Sequence, residues 1–131
     1  MEWLVTIHNV WRYVVLFTAL ATLGMALMAY LGNRPWDAVS DRLSFFFTLA
    51  MDIQVLVGIG VWIFGDWERN DSFLKFVHPL LMLVAVGVAH AGRVITEREA
   101  DSRAKGRKAL LFFGGSLIIV LIAIPLAAWP L

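Results

Sequence analysis

Long apolar runs alternate with short polar stretches along this chain, and the alternation predicts its secondary structure. The runs are Tyr13–Leu31, Leu43–Gly65, Phe76–Gly92 and Ala109–Leu131. A helix needs about 20 apolar residues to cross the hydrocarbon core of a bilayer. Three runs are about that long, and the shorter one reaches this length when it is extended to 73–96. Each run is therefore predicted to span a membrane.

The need to satisfy backbone hydrogen bonds in lipid determines which secondary structure the apolar runs form. Within hydrocarbon, only helices and closed barrels satisfy every backbone N–H and C=O group. The runs lack the alternation of apolar and polar residues that barrel strands show. We therefore predict an all-α fold, a transmembrane four-helix up-down-up-down bundle. Its helices are expected at roughly 5–31, 40–65, 73–97 and 106–129 of a single domain covering 1–131.

Composition agrees with a membrane protein whose main partner is the lipid bilayer. Sixty per cent of the 131 residues are hydrophobic, 16% are charged, and the mean hydropathy is +0.77. The net charge of +1 gives no electrostatic reason to expect nucleic-acid binding. The chain has no cysteine, which excludes disulfides, thiolate metal sites and cysteine nucleophiles.

Basic residues are distributed unequally among the predicted connections, which are Gly32–Arg42, Asp66–Lys75 and Arg93–Lys108. The first and third connections hold most of them: Arg34, Arg42, Arg93, Arg98, Arg103, Lys105, Arg107 and Lys108. The other side holds only Arg12, Arg69 and Lys75. Because cytoplasmic loops are enriched in Lys and Arg, both termini are expected outside.

Few polar side chains lie inside or near the apolar runs. They are His8, Arg12, Asp52, Gln54, His78, His90 and Arg93. Ionisable groups at membrane depth are energetically costly, so each of them is a candidate for function.

His8 and His78 form the strongest candidate site. Each lies at the outer start of its helix, and the first and third helices run in the same direction as diagonal neighbours of the bundle. The two imidazoles are expected to bind one flat cofactor. Haem b suits them because its iron takes axial imidazoles, and Arg12, one turn from His8, is placed for the propionates. Copper is the weaker alternative, since the thioethers of Met25, Met28 and Met51 near His90 could supply soft ligands.

His90 is expected to belong to a different place. The twelve residues from His78 to His90 rise about 18 Å along a helix, so the two cannot bind the same iron. His90 therefore serves either as a metal ligand at a second, inner site or as a structural hydrogen-bonding group. Arg93 shares its helix face and is included among the cofactor-binding candidates.

Asp52 and Gln54 are predicted to form a polar network within the second helix. They lie two residues apart and so point to roughly opposite faces. Asp52 is close enough in depth to reach His90, where it could orient the imidazole or carry protons. Gln54 is expected to be a packing contact between helices.

Three segments carry a resemblance to a known group of proteins. IHNVWRY, LAMDIQVLVG and FVHPLLMLVAVGVAHAGRV resemble small four-helix bacterial integral membrane proteins of the cytochrome b-like type. The resemblance implies a multi-pass protein of the bacterial inner membrane that transfers electrons, with quinone or a redox subunit as partner. It implies haem ligation by His8 and His78, with His90 as a further candidate ligand. Three histidines allow at most one bis-histidine site.

Three functions remain open at this point. The first is electron transfer through haem b. The second is a non-catalytic accessory subunit of a larger respiratory or photosynthetic complex, or of a homo-oligomer. The third is a proton-conducting element built from Asp52, His90 and Arg93. An electron-transfer or accessory role is favoured over an enzyme with its own substrate, because no nucleophile elbow or phosphate loop occurs.

Overall fold

The computed structural model describes residues 2–64 and 72–125, which form an all-α bundle. Its helices are α1 (Glu2–Leu31), α2 (Ala38–Phe64), α3 (His78–Arg98) and α4 (Ser102–Ala123), with a π-helical turn (Phe73–Val77) leading into α3. No strand occurs in the described residues. All four helices are long and apolar enough to cross a membrane. The predicted fold class is confirmed.

The packing order places α1 and α3 on a diagonal. α1 packs against α2 and α4, and α3 packs against the same two helices. The core between them is built largely from small side chains and two phenylalanines, Phe47 and Phe113, whose rings meet edge to face at 5.7 Å. Of the packed pairs, α2 and α3 contact each other least extensively, so the seam between them is the most open.

The fourth helix differs from the prediction at both ends. It begins at Ser102 instead of 106, because the Asp101 carboxylate accepts a hydrogen bond from the Ala104 backbone N–H at 3.1 Å and caps it. It ends at Ala123 because Ile124 precedes Pro125, and a residue before proline is driven into an extended conformation. The remainder of the predicted helix, residues 126–129, lies outside the described residues.

The prediction of a long third connection is wrong. Only residues 99–101 separate α3 from α4, and the charged segments on either side are helical. Charged side chains tie the helix ends together, since Lys105 donates to the Thr96 carbonyl at 3.0 Å and Lys108 pairs with Glu99. Lys, Arg and Glu are good helix formers, so these helices continue beyond the apolar run. Of the second connection, residues 65–71 lie outside the described residues.

One glycine sets the distance between α1 and α4. A side-chain carbon added at Gly106 would lie 2.5 Å from the Tyr30 backbone nitrogen and 2.6 Å from the Ala26 carbonyl oxygen. Only glycine permits this backbone contact. The glycine therefore lets the backbones of α1 and α4 lie in direct contact. The C-terminal end of α4 lies beside the start of α3, where Ala123 meets His78.

Candidate functional site

The rings of His8 on α1 and His78 at the start of α3 meet inside the bundle. Their centroids lie 6.2 Å apart and their planes are inclined at 88°. α1 and α3 are diagonal, so the rings bridge the core between helices that do not pack directly on each other. The sequence-based prediction that these two imidazoles lie level and close is confirmed.

The end of α4 orients the His78 ring. His78 Nδ1 donates a hydrogen bond to the Ala123 carbonyl oxygen at 2.8 Å. A carbonyl can only accept, so Nδ1 carries the proton and Nε2 of the neutral ring presents a lone pair. Metal-bound histidines are commonly oriented by such a bond from the second ring nitrogen. His78 therefore has the tautomer of a ligand that binds through Nε2.

Neighbours on α2 place His8. Gln54 donates to the His8 backbone carbonyl at 2.8 Å, which confirms its predicted role as a contact between helices. A side-chain carbon added at Gly58 would lie 3.1 Å from His8 Cε1, so this glycine leaves room for the imidazole. His8 Nδ1 is buried and has no hydrogen-bond partner among the described residues. Such an atom is uncommon in proteins and calls for an explanation.

Arg12 lies one helical turn further along α1, where it is only 7% exposed. Its guanidinium carbon sits 5.3 Å from the centroid of the Tyr13 ring, within the range of a cation–π contact. The neighbouring Trp11 donates from Nε1 to the Ala50 carbonyl at 2.8 Å and joins α1 to α2. A buried cation therefore lies one helical turn from His8, as the sequence predicted.

His90 and Asp52 form a second pair on the outside of the α2–α3 seam. His90 Nε2 donates to Asp52 Oδ1 at 2.7 Å, which confirms the contact that their depths predicted. The His90 side chain is 53% exposed and that of Asp52 is 40% exposed. Asp52 faces α3 while Gln54 faces α1, so the prediction of opposite faces is also confirmed.

Arg93 strengthens the same seam. Its Nη1 donates to the Ser44 hydroxyl at 2.7 Å and to the Asp41 carbonyl at 3.0 Å, and Nη2 pairs with Glu97 at 3.1 Å. Arg93 and His90 line one open groove of about 270 Å³, as their spacing predicted. The other lining residues are Phe45, Thr48, Leu49, Asp52, Val94 and Glu97.

Two contacts of these side chains were not predicted from the sequence. The first is the Ala123 carbonyl, although Pro125 two residues later signals a helix end whose last carbonyls need donors. The second is the pair of oxygen atoms on α2 that accept hydrogen bonds from Arg93, namely the Asp41 carbonyl and the Ser44 hydroxyl. The sequence offers no signal for these contacts. No group of three or more His, Cys, Asp or Glu side chains that could hold a metal ion occurs within 2–64 and 72–125.

Comparison with known proteins leaves these residues as the main guide to function. No protein-family model, no curated protein and no solved structure matches the chain. The resemblance to the cytochrome b-like type therefore stays a prediction, and so do the roles that it implies.

Proposed function

We propose that the protein is a membrane electron-transfer protein that binds one b-type haem between α1 and α3 through His8 and His78. One observation carries the proposal: two partly buried imidazoles from diagonal helices lie 6.2 Å apart between centroids. Imidazoles that bind one metal from opposite sides have centroids about 6 Å apart, since each metal–nitrogen bond is about 2 Å.

The donor set suits haem better than a bare metal ion. Two imidazoles leave a bare ion short of ligands, and no third His, Cys, Asp or Glu side chain joins them among the described residues. A porphyrin brings four nitrogens of its own, so that two axial imidazoles complete the coordination. Copper, which could use the same two rings, stays an untested alternative and has a different spectrum.

Each neighbouring residue has a task in such a site. The Ala123 carbonyl holds the His78 proton on Nδ1, so that Nε2 is free to bind. Gln54 holds the His8 backbone, and Gly58 leaves space beside its ring. The buried Arg12 offers positive charge to the propionates. When bound, haem would supply a one-electron couple whose potential depends on these surroundings.

The proposal includes a location and partners. The distribution of Lys and Arg supports an orientation with both termini outside. The bacterial inner membrane is the location that the resemblance to the cytochrome b-like type implies. The haem would then lie in the outer half of the membrane, and a quinone or a redox subunit would exchange electrons with it. Reporter proteins fused to either terminus test the orientation.

An absorption spectrum of the purified full-length protein tests haem binding. We expect a Soret band in the oxidised protein and sharp α and β bands after reduction with dithionite. A pyridine haemochrome assay should give one haem per chain. A colourless protein that takes up no added haemin would refute the proposal.

Histidine variants locate the site, with His90 as the matched control. His78→Ala and His8→Ala should each abolish or strongly shift the reduced spectrum, because each removes an axial ligand. His90→Ala should keep it, since His90 lies about 18 Å further along α3 and faces outward. Loss of the spectrum in His90→Ala but not in His78→Ala would place the haem elsewhere.

Proton conduction remains the alternative function, and the Asp52–His90 hydrogen bond favours it. In liposomes, that function predicts proton flux that Asp52→Asn abolishes. Flux without a haem spectrum would favour this alternative over electron transfer.

A further inference from the structure

The outer face of the α2–α3 seam places ionisable groups where hydrocarbon would surround them. Asp52 lies near the middle of α2, about 21 Å from Ala38 at that helix's start. Its carboxylate and the His90 imidazole are both about half exposed on this face. Charged groups in membrane spans normally face a protein interior or water, because lipid cannot solvate them. A further protein surface would provide such surroundings for this pair.

The Asp52–His90 pair has unfilled hydrogen-bonding capacity, which is self-complementary when the imidazole is protonated. His90 and Asp52 use one nitrogen and one oxygen on each other, and neither makes another hydrogen bond within the described part of the chain. In an imidazolium–carboxylate pair, the remaining Nδ1 is a donor and the remaining Oδ2 is an acceptor. Two copies related by a two-fold axis could each donate to the other. An isologous interface requires this kind of self-matching surface.

A glycine on the same stripe of α3 leaves room for another helix. Gly87 lies one turn before His90 and is exposed, and a side-chain carbon added there would meet nothing within 4 Å. Glycine inside a helix costs about 1 kcal/mol relative to alanine, and no contact with residues 2–64 or 72–125 requires it here. In membranes, exposed small residues allow a neighbouring helix to approach closely.

On α2 and α3, the side chains that continue this outer face recur with a spacing that repeats every seven residues. On α2 the stripe consists of Phe45, Leu49, Asp52, Leu56 and Ile59, and on α3 of Leu83, Gly87, His90, Val94 and Glu97. This spacing of four and three residues is the pattern through which helices pack side by side. A polar residue among apolar ones in such a stripe can fix the register of the pairing, and Asp52 and His90 hold the central positions of the two stripes.

We propose that the protein forms a two-fold symmetric homodimer in the membrane through the outer face of α2 and α3, with the two Asp52–His90 pairs at its centre. A small ligand fits the face less well. Its groove holds about 270 Å³, whereas ligand pockets usually hold about 300–1,000 Å³ and enclose most of the ligand. The interface is independent of haem, since His8 and His78 lie inside the bundle.

Energy transfer between labelled copies in liposomes tests the dimer. Because the chain has no cysteine, Ile118→Cys introduces a single thiol for a donor or an acceptor dye on the exposed face of α4. We expect transfer that rises with the protein-to-lipid ratio and exceeds the level of random proximity. Transfer at the random level would mean that the protein is a monomer and would overturn the proposal. The same conclusion would hold if a lipid-soluble molecule co-purified with that monomer.

Two glycine variants on the Ile118→Cys background give the matched comparison. Gly87→Leu should weaken dimerisation about tenfold, because its side chain fills the space between the partner helices. Gly24→Leu on α1 should leave it unchanged, although this glycine is also exposed and open within 4 Å. Equal weakening by both variants would overturn the proposal.

Oxidative cross-linking gives a readout that needs no bulky substitution. Leu83→Cys and Ile118→Cys place single thiols of similar exposure, 52% and 59%, at similar depth on the proposed interface and on α4. Disulfide dimers should form at least fivefold faster for Leu83→Cys. Equal rates would contradict the assignment of the face, whether or not the protein binds haem.

Discussion

Two histidines on α3 occupy opposite environments, although both lie in apolar stretches of one helix. His78 points into the core, where its ring meets that of His8 and the Ala123 carbonyl assigns its proton. His90 points outward, half exposed, and bonds to Asp52. Twelve residues turn a helix about 120° beyond whole turns, which accounts for the change of face.

The comparison shows that a residue's partners decide what an intramembrane histidine can do. The inner pair leaves ring nitrogens available in a buried space, which suits coordination of a cofactor. The outer pair satisfies one nitrogen with a carboxylate, which suits proton exchange or pairing with another polar surface. Substitutions confined to one region should leave the other unaffected, and their expected effects differ in size.

Crowding the inner pair should have the largest effect. A leucine at Gly58 would displace the His8 ring, because even its first carbon would lie 3.1 Å from Cε1. Gly58→Leu is expected to remove most of the bound haem, measured by the pyridine haemochrome assay. Gly24→Leu, at an open glycine on α1, should retain it. Full haem occupancy in Gly58→Leu would contradict the assigned position of the cofactor.

Loosening the inner pair without crowding it should have a moderate effect. Gln54→Leu removes the hydrogen bond to the His8 carbonyl, and a bond of this kind contributes about 0.5–1.5 kcal/mol. We expect haem affinity to fall about threefold to tenfold in haemin titrations. Asp52→Asn, two residues away on the opposite face, should leave the affinity unchanged. Equal losses would mean that the two regions are coupled.

Weakening the α2–α3 seam should reduce stability and spare the inner site. Arg93→Gln removes the pairing with Glu97 and disrupts the bonds to Ser44 and the Asp41 carbonyl. We expect a loss of about 1–2 kcal/mol, since several partly buried bonds go together. Thermal unfolding followed by circular dichroism measures it, with Arg98→Gln as control. A shifted reduced haem spectrum in Arg93→Gln would contradict the separation of the regions.

The smallest effect is expected at the start of α2, outside the spans. The Asp37 carboxylate accepts from the Ser40 N–H at 3.1 Å and from Arg34 at 2.9 Å, which lowers the pKa of Asp37 from 3.8 to about 2. A lowered pKa means that ionised Asp37 stabilises the folded state above pH 3.8, and that this stabilisation is lost as the pH falls towards 2.

Asp37→Asn should therefore be slightly less stable than the wild type at neutral pH. The difference should shrink as the pH is lowered from about 4 to about 2, because the wild-type carboxylate then becomes protonated as well. Melting temperatures across this range in detergent provide the measurement. A difference that grows on acidification would contradict the assigned role of the carboxylate.

Local sequence patterns were sufficient to predict much of this molecule. Apolar runs of membrane-spanning length predicted four helices, because backbone groups in hydrocarbon must bond within their own segment. Residue spacing placed His90 and Arg93 on one face and separated Asp52 from Gln54. These features depend on helical geometry alone. The end of α4 was missed although Pro125 indicates it, and the charged helix ends were mistaken for a connection.

Only the tertiary structure decided which atoms meet. The bond from His78 to Ala123 joins residues 45 positions apart, and it forms where the end of α4 packs against the start of α3. The open α2–α3 seam likewise depends on how all four helices share the core. Periodicity specifies the direction of a side chain around its own helix. The distances between helices come from the packing of every contact together, which no local pattern contains.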